Sequence, residues 1–219
     1  ILKDELDELD DLRDTQVLLA DISEMIRETP FLQPFQEYLQ HQEKLLLRAA
    51  RKEIKSLKVE SLSKRIKKLS QTISELKQTD LDENLFSAVD EAYIIVNQRY
   101  ALVDPGQPDT IHRLRIAFKK FRYMIEAIYP ILQNFPRDHL KRMHEYQASM
   151  GDIQDMEVAL QELADFGEQM PASYNPEPAI SYYKERHTIA LSRYIEDKGE
   201  IITFWRAAPG QSFPQEKEI

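Results

Sequence analysis

A run of positive charges along one predicted helix is the feature of this sequence with the clearest chemical meaning. A helix turns by about 100° per residue, so residues at i, i+3, i+7 and i+10 share one arc. Like charges on neighbouring turns repel each other, which favours an anionic partner that neutralises them. We call these four residues the first basic stripe: His112, Arg115, Lys119 and Arg122. Arg113 and Lys120 flank it.

The other side of the same segment is apolar. Its aliphatic and aromatic residues recur at helical spacing and predict a face that packs into a core. The residues of this predicted core face are Leu114, Ala117, Phe118, Phe121, Ile125 and Ile128. The segment 111–129 is therefore predicted to be an amphipathic helix with a buried face and the first basic stripe on the opposite arc.

A second basic stripe occurs earlier in the chain, with the spacing i, i+4, i+7 and i+11. It consists of Lys44, Arg48, Arg51 and Lys55, and Lys58 lies close by. The arc on the other side of this helix is again apolar and contains Leu46, Leu47, Ala50, Ile54 and Leu57. If the two helices pack side by side, the two stripes line one anion-binding groove.

Other interpretations of the charge pattern stay open. A charged run on a helix is commonly only a solvated face, and an acidic N-terminal segment could neutralise both stripes internally. That segment also disfavours a nucleic-acid duplex as the ligand, because its field opposes a long polyanion. One alternative function is a metal-dependent enzyme that handles phosphoryl groups, and the acidic segment is the only feature that supports it. Another is a helical scaffold that docks an acidic protein. The acids are Asp4, Glu5, Asp7, Glu8, Asp10, Asp11 and Asp14.

Composition narrows the choice of function. The 219 residues have a formal net charge of −9 and include no Cys, which excludes disulfides, thiolate metal sites and cysteine nucleophiles. With only five glycines, the chain has little material for a glycine-rich phosphate loop. No apolar run approaches the roughly 20 residues of a membrane span. We therefore expect no membrane partner, no cofactor, no metal site and no catalytic residues.

The prolines give the coarse map of the elements. Proline is excluded from helix interiors, so the proline-free stretches predict helices. The longest stretch predicts helices over about 35–77 and 83–102, separated by a polar break at Gln78–Glu83. No stretch alternates in the manner of a strand, so the fold class is all-α. Residues 12–19 resemble residues 153–160, which suggests an internal repeat.

The segment 111–126 resembles the signature helix of CHAD domains, the conserved histidine α-helical domains. The family pattern reads roughly HxxRIxxKxxRYxxE, and Met150–Asp155 resembles the family's "LGxLxD" segment. Residues 12–17 resemble the counterpart of that segment in the first half. The positions that match the signature are His112, Arg115, Ile116, Lys119, Arg122, Tyr123 and Glu126.

This resemblance implies two roughly four-helix bundle halves, related by pseudo-twofold symmetry, with a basic groove between them. We expect these halves at 1–80 and 81–219, with a further basic helix of the first half upstream of Ile1. The resemblance also implies binding of inorganic polyphosphate and a cytoplasmic location at polyphosphate granules. Some CHAD domains are fused to a triphosphate tunnel metalloenzyme domain, but its ExExK motif does not occur in this sequence.

The chemistry of the stripes agrees with that ligand. Polyphosphate is a flexible chain with about one negative charge per phosphate, which arginine forks and lysine point charges can match. Neither stripe carries the aromatic platforms on which nucleic-acid bases stack. We therefore predict a non-enzymatic polyphosphate-binding module whose oligomeric state is open. The first and second basic stripes form its walls, with Arg113 and Lys120 of second rank and Tyr123 and Glu126 positioning the helix.

Overall fold

The computed structural model describes residues 9–56, 59–74, 78–132, 135–207 and 211. Every regular element in those ranges is helical, so the predicted all-α class is confirmed. The α-helices are α1 (Asp10–Met25), α2 (Gln33–Ser56), α3 (Val59–Ser74), α4 (Gln78–Tyr100), α5 (Pro108–Ile128), α6 (Arg137–Gln169) and α7 (Glu177–Asp197). Short 3₁₀ helices follow α1, α5 and α7 at Pro30–Leu32, Tyr129–Ile131 and Lys198–Thr203.

Proline and acidic residues account for the ends of α5, the helix that carries the first basic stripe. Pro108 occupies the first helical position, where its missing N–H removes no hydrogen bond. Asp109 adds negative charge to the first turn, where the helix dipole favours it. The α-helical geometry ends at Ile128, and Pro130 lies in the 3₁₀ turn that follows.

The predicted polar break at Gln78–Glu83 is wrong, because these residues open helix α4. Acidic side chains stabilise the N-terminal turn of a helix, so this polar segment begins a helix rather than separating two. Of the single helix predicted over 35–77, the structure describes α2 up to Ser56 and α3 from Val59 to Ser74. Residues 57, 58 and 75–77 lie outside the described part of the chain.

The chain divides into two compact units, and each takes two separate stretches of sequence. The first unit comprises Ile1–Ser70 with Asp155–Thr188, and the second comprises Gln71–Gln154 with Ile189–Ile219. Helices α3, α6 and α7 each contribute residues to both units. The predicted halves at 1–80 and 81–219, and their symmetry, stay a prediction.

The first unit is held by one apolar cluster and one half-buried ion pair. Leu18, Phe35, Leu163 and Tyr183 are among its fully buried side chains. Arg186 on α7 donates two hydrogen bonds to the carboxylate of Asp21 on α1, at 2.5 and 2.8 Å. This forked pair fixes α7 against α1 within the unit.

The second unit has a core rich in aromatic rings, which include Phe118, Phe121 and Trp205. Asp90 on α4 is buried and accepts a hydrogen bond from the indole nitrogen of Trp205 at 2.7 Å. The guanidinium of Arg206 donates two more to the same carboxylate, at 2.9 and 2.6 Å. These contacts tie the segment after α7 to α4.

In the described ranges, no helix has the length and apolar character needed to cross a bilayer.

Candidate functional site

Helix α5 presents the apolar face that its sequence predicts. Five of the six predicted core residues are buried, and Ala117 packs against the same cluster. Ile111 extends this face by one turn and is also buried. The buried residues are Ile111, Leu114, Phe118, Phe121, Ile125 and Ile128. This packing fixes the rotation of α5 within the second unit, so it also fixes the direction of the first basic stripe.

Helix α6 meets the first basic stripe with three uncharged residues at the spacing i, i+4 and i+7: Gln147, Gly151 and Gln154. The ring nitrogen Nδ1 of His112 contacts Oε1 of Gln154. One turn further along α5, Arg115 passes Gly151, where an added Cβ would lie 3.8 Å from the arginine Nε. Arg122 donates from Nε to Oε1 of Gln147 at 2.9 Å. The contacts run in opposite directions along the two helices, so this part of α6 faces the stripe without adding charge.

These α6 residues were not predicted as part of the site. The "LGxLxD" resemblance covers Gly151 and Gln154, but it assigns them no contact with α5. Their spacing does carry a signal, because they lie beside the buried positions Tyr146, Met150 and Ile153 on the same helix. Polar residues next to a core face are placed against the neighbouring helix, but the sequence does not say which helix that is.

Arg122 differs from the other members of the first basic stripe because its side chain is only 9% exposed. It pairs with Glu126 one turn later on α5, and its guanidinium lies 4.5 Å from the ring centroid of Tyr123. The prediction that Arg122 lies on an arc opposite the core is therefore wrong. The reason is geometric, since Arg122 is only about 80° around the helix from Leu114 and so borders the core face.

The remaining three residues of the first basic stripe, His112, Arg115 and Lys119, are half-buried. Within the described ranges, none of the three forms an ion pair with a carboxylate. The Nε of Arg115 is buried and has no hydrogen-bond partner among the described residues. The ammonium group of Lys119 lies 6.0 Å from the ring centroid of Tyr123. These three residues present donors without a neutralising partner on their own unit.

The flanking cations of α5 have different surroundings. Arg113 is exposed and pairs with Asp109 one turn earlier on the helix. Lys120 is exposed as well. The ion pair with Asp109 lowers the positive charge that Arg113 presents to an anion. This agrees with the secondary role in ligand binding that is predicted for Arg113.

The second basic stripe lies on α2, in the first unit. Its four residues Lys44, Arg48, Arg51 and Lys55 are all exposed. The apolar arc behind them is only partly confirmed. Ala50 is buried and Leu46 and Leu47 are half-buried, but Ile54 is 54% exposed, so this apolar arc is not covered along its whole length. The side chains described beyond Ala50 on α2 are exposed, which shows that the packing of this helix ends there.

The acidic N-terminal segment is described only in part. Asp4, Glu5, Asp7 and Glu8 lie outside the described residues, as do Leu57 and Lys58 near the second basic stripe. Asp10 and Asp11 are exposed in the first turn of α1, and Asp14 pairs with Arg13 at 3.0 Å. Across the described residues, no group of three or more His, Asp or Glu side chains is placed to hold a metal ion.

The family model of the CHAD domain matches residues 2–164, well over half of the chain. The chain belongs to the CHAD domain family. CHAD domains are known as helical domains that bind polyphosphate, and they are generally binding domains rather than catalytic ones. No curated protein and no solved structure matches this chain. The matched range contains the whole of α5 and the α6 residues that meet the first basic stripe.

Proposed function

We propose that this CHAD domain binds inorganic polyphosphate without chemical turnover, and that His112, Arg115 and Lys119 make the principal contacts. One observation carries the proposal. Within the described ranges, no carboxylate pairs with any of these three side chains, although α6 packs beside them. A helix that exposes repelling donors gains free energy when a polyanion neutralises them.

The spacing of the three residues suits a linear ligand. Along the axis of α5, His112 and Arg115 are about 4.5 Å apart, and Arg115 and Lys119 about 6 Å apart, from the rise per residue of a helix. Arg115 supplies a planar fork that can bind two oxygens of one phosphate, whereas Lys119 supplies a compact point charge. Because Nδ1 of His112 is bonded to Gln154, its Nε2 is the ring nitrogen left for a phosphate oxygen, to which it donates when the imidazole is protonated. A flexible phosphate chain can adjust to these unequal intervals.

Arg122 and its neighbours have a positioning role in this proposal. Because Glu126, Gln147 and Tyr123 surround the Arg122 guanidinium, it holds α5 against α6 rather than reaching the ligand. Gln154 orients the ring of His112 in the same way. The neutral residues of α6 therefore aim the donors without competing for the phosphate.

The second basic stripe is proposed as a further contact surface for the same chain of phosphates. Its four exposed cations have no carboxylate partner within the described ranges. We propose that both stripes line one groove, with Arg113 and Lys120 as outer contacts. Binding of this kind places the protein at polyphosphate granules in the cytoplasm.

Calorimetric titration of the chain with long-chain polyphosphate tests the proposal, with duplex DNA and orthophosphate as comparison ligands at two salt concentrations. We expect selective binding of polyphosphate that weakens as salt rises, because ion release drives it. Arg115→Ala with Lys119→Ala should abolish most of the affinity. Lys184→Ala with Arg193→Ala is the matched control, since it removes the same charge from exposed positions on α7.

The outcomes separate the parts of the proposal. Equal losses in the α5 variant and the α7 control would show that only net charge matters, and the stripe would then not be a site. A variant with alanine at all four positions of the second basic stripe shows whether α2 contributes. Polyphosphate that is shortened during the titration would contradict a purely binding role.

A further inference from the structure

Helix α3 exposes a continuous apolar stripe that neither basic stripe uses. We call its four residues the α3 seam: Leu62, Ile66, Leu69 and Ile73, at the spacing i, i+4, i+7 and i+11. Ile66 is 58% exposed, Leu69 is 62% exposed and Ile73 is 51% exposed, whereas Leu62 is half-buried. Contiguous apolar surface of this kind marks an interaction site more often than scattered single residues do.

The residue types of the seam follow the heptad pattern of a two-stranded coiled coil. Ile66 and Ile73 occupy a positions, and Leu62 and Leu69 occupy d positions. In the sequence, Val59 precedes them at an a position and Leu76 follows at a d position, although the side chains of both lie outside the described part. β-Branched residues at a with leucine at d favour parallel two-stranded coils, because their shapes fill the holes of that geometry.

The width of the seam distinguishes a second helix from a lipid surface. The four residues lie within about 60° of arc, whereas a helix that packs on a core or in a bilayer interface has an apolar face wider than about 100°. The flanking e and g positions hold Ser63, Arg65, Ser70 and Thr72. A narrow apolar line bordered by short polar side chains fits a coiled-coil partner better than lipid.

The charges of α3 also agree with a second copy of the same helix. In a parallel coil, the g position of one helix faces the next e position of its partner, so Arg65 faces Ser70 of the other copy and no like charges meet. Lys64 and Lys67 occupy outward positions and remain in solvent. The predicted contacts between g and e positions therefore bring no like charges together.

We propose that two copies of this chain associate through the α3 seam as a short parallel coiled coil. The inference does not depend on the ligand, but it would give a polyphosphate chain two sets of stripes on one particle. Two linked sites raise the effective concentration at the second site once the first is occupied.

Sedimentation velocity on the full chain over a wide concentration range tests the association. We expect the mass to rise with concentration from 25.7 kDa towards twice that value. The variant Ile66→Ser with Leu69→Ser should stay monomeric and fully helical, because both side chains are exposed in the single chain. Lys64→Ser with Gln71→Ser, at outward positions of the same helix, is the matched control and should still associate.

A cross-linking experiment fixes the geometry, because the chain has no cysteine of its own. A parallel coil in register brings Leu69 of the two copies together, so Leu69→Cys should form a disulfide-linked dimer on oxidation, whereas Gln71→Cys should not. A monomer at every concentration would overturn the proposal, as would a dimer that survives the seam variant. Monomers that bind phosphatidylserine vesicles through Ile66 would assign the seam to lipid instead.

Discussion

Arg122 donates a hydrogen bond from Nε to the side-chain oxygen of Gln147 at 2.9 Å, which joins helix α5 to helix α6. Lys119, one turn earlier on α5, has no carboxylate partner within the described ranges. Two cations of one sequence motif therefore have different physical roles. Arg122 is committed to the packing of the protein, whereas Lys119 is the residue that we propose as a ligand contact.

Replacing Arg122 should mainly destabilise the fold. Arg122→Ala removes a buried guanidinium that bonds Gln147 and Glu126, and hydrogen bonds to charged groups contribute about 1.5–3 kcal/mol. Lys119→Ala should change the free energy of unfolding by less than about 0.5 kcal/mol, since within the described ranges its ammonium group has no carboxylate partner to lose. Urea denaturation measures both. If Arg122→Ala leaves stability intact but abolishes polyphosphate binding, Arg122 is a ligand contact after all.

Gly151 gives a test of how Arg115 is placed. An added Cβ would lie 3.8 Å from the Nε of Arg115, which is ordinary contact, so Gly151→Ala should preserve polyphosphate affinity. It should also raise stability by about 0.5–1 kcal/mol, because glycine weakens a helix interior. Gly151→Leu needs the space that Arg115 occupies and should weaken binding. Titration calorimetry and thermal unfolding of the two variants distinguish these effects, and equal affinities would show that Arg115 is not constrained by α6.

Local patterns predicted the core face of α5 well, because a helix with period 3.6 and an apolar arc has one stable way to pack. They failed at Arg122 because this residue borders the apolar arc, where contacts with α6 determine whether a side chain is buried or exposed. They failed at Gln78–Glu83 because acidic residues favour a helix start as readily as a break. Ile54 shares the apolar arc of α2 by its spacing, yet it is 54% exposed. Pattern reveals which face is apolar, while tertiary contacts decide whether it is covered.

The carboxylate of Asp90 should be a main anchor of the segment after α7. It is buried and accepts hydrogen bonds from Trp205 and from the guanidinium of Arg206. Removing one partner of a buried ion pair costs about 3–5 kcal/mol, because the other charge stays buried without compensation. Asp90→Ala should therefore lower the denaturation midpoint strongly and increase the exposure of Trp205. Indole fluorescence follows both effects, and an unchanged emission maximum would show that the segment is held by its apolar contacts alone.

His139 should make the fold less stable in mild acid. Its ring packs edge-on against Phe135 and Phe204, and burial, with a smaller effect from the charge of Arg142, lowers the pKa of His139 below the usual 6.5. Between the lowered pKa and 6.5, the unfolded chain binds a proton that the folded chain does not, so stability falls as the pH drops through 6.5. Above that range the ring is neutral in both states and contributes no pH dependence.

Urea denaturation at several pH values across this range measures how the free energy of unfolding changes with pH. That slope should be smaller in His139→Gln, with His144→Gln as the exposed control. Equal slopes in His139→Gln and the unsubstituted chain would show that other groups cause the acid sensitivity.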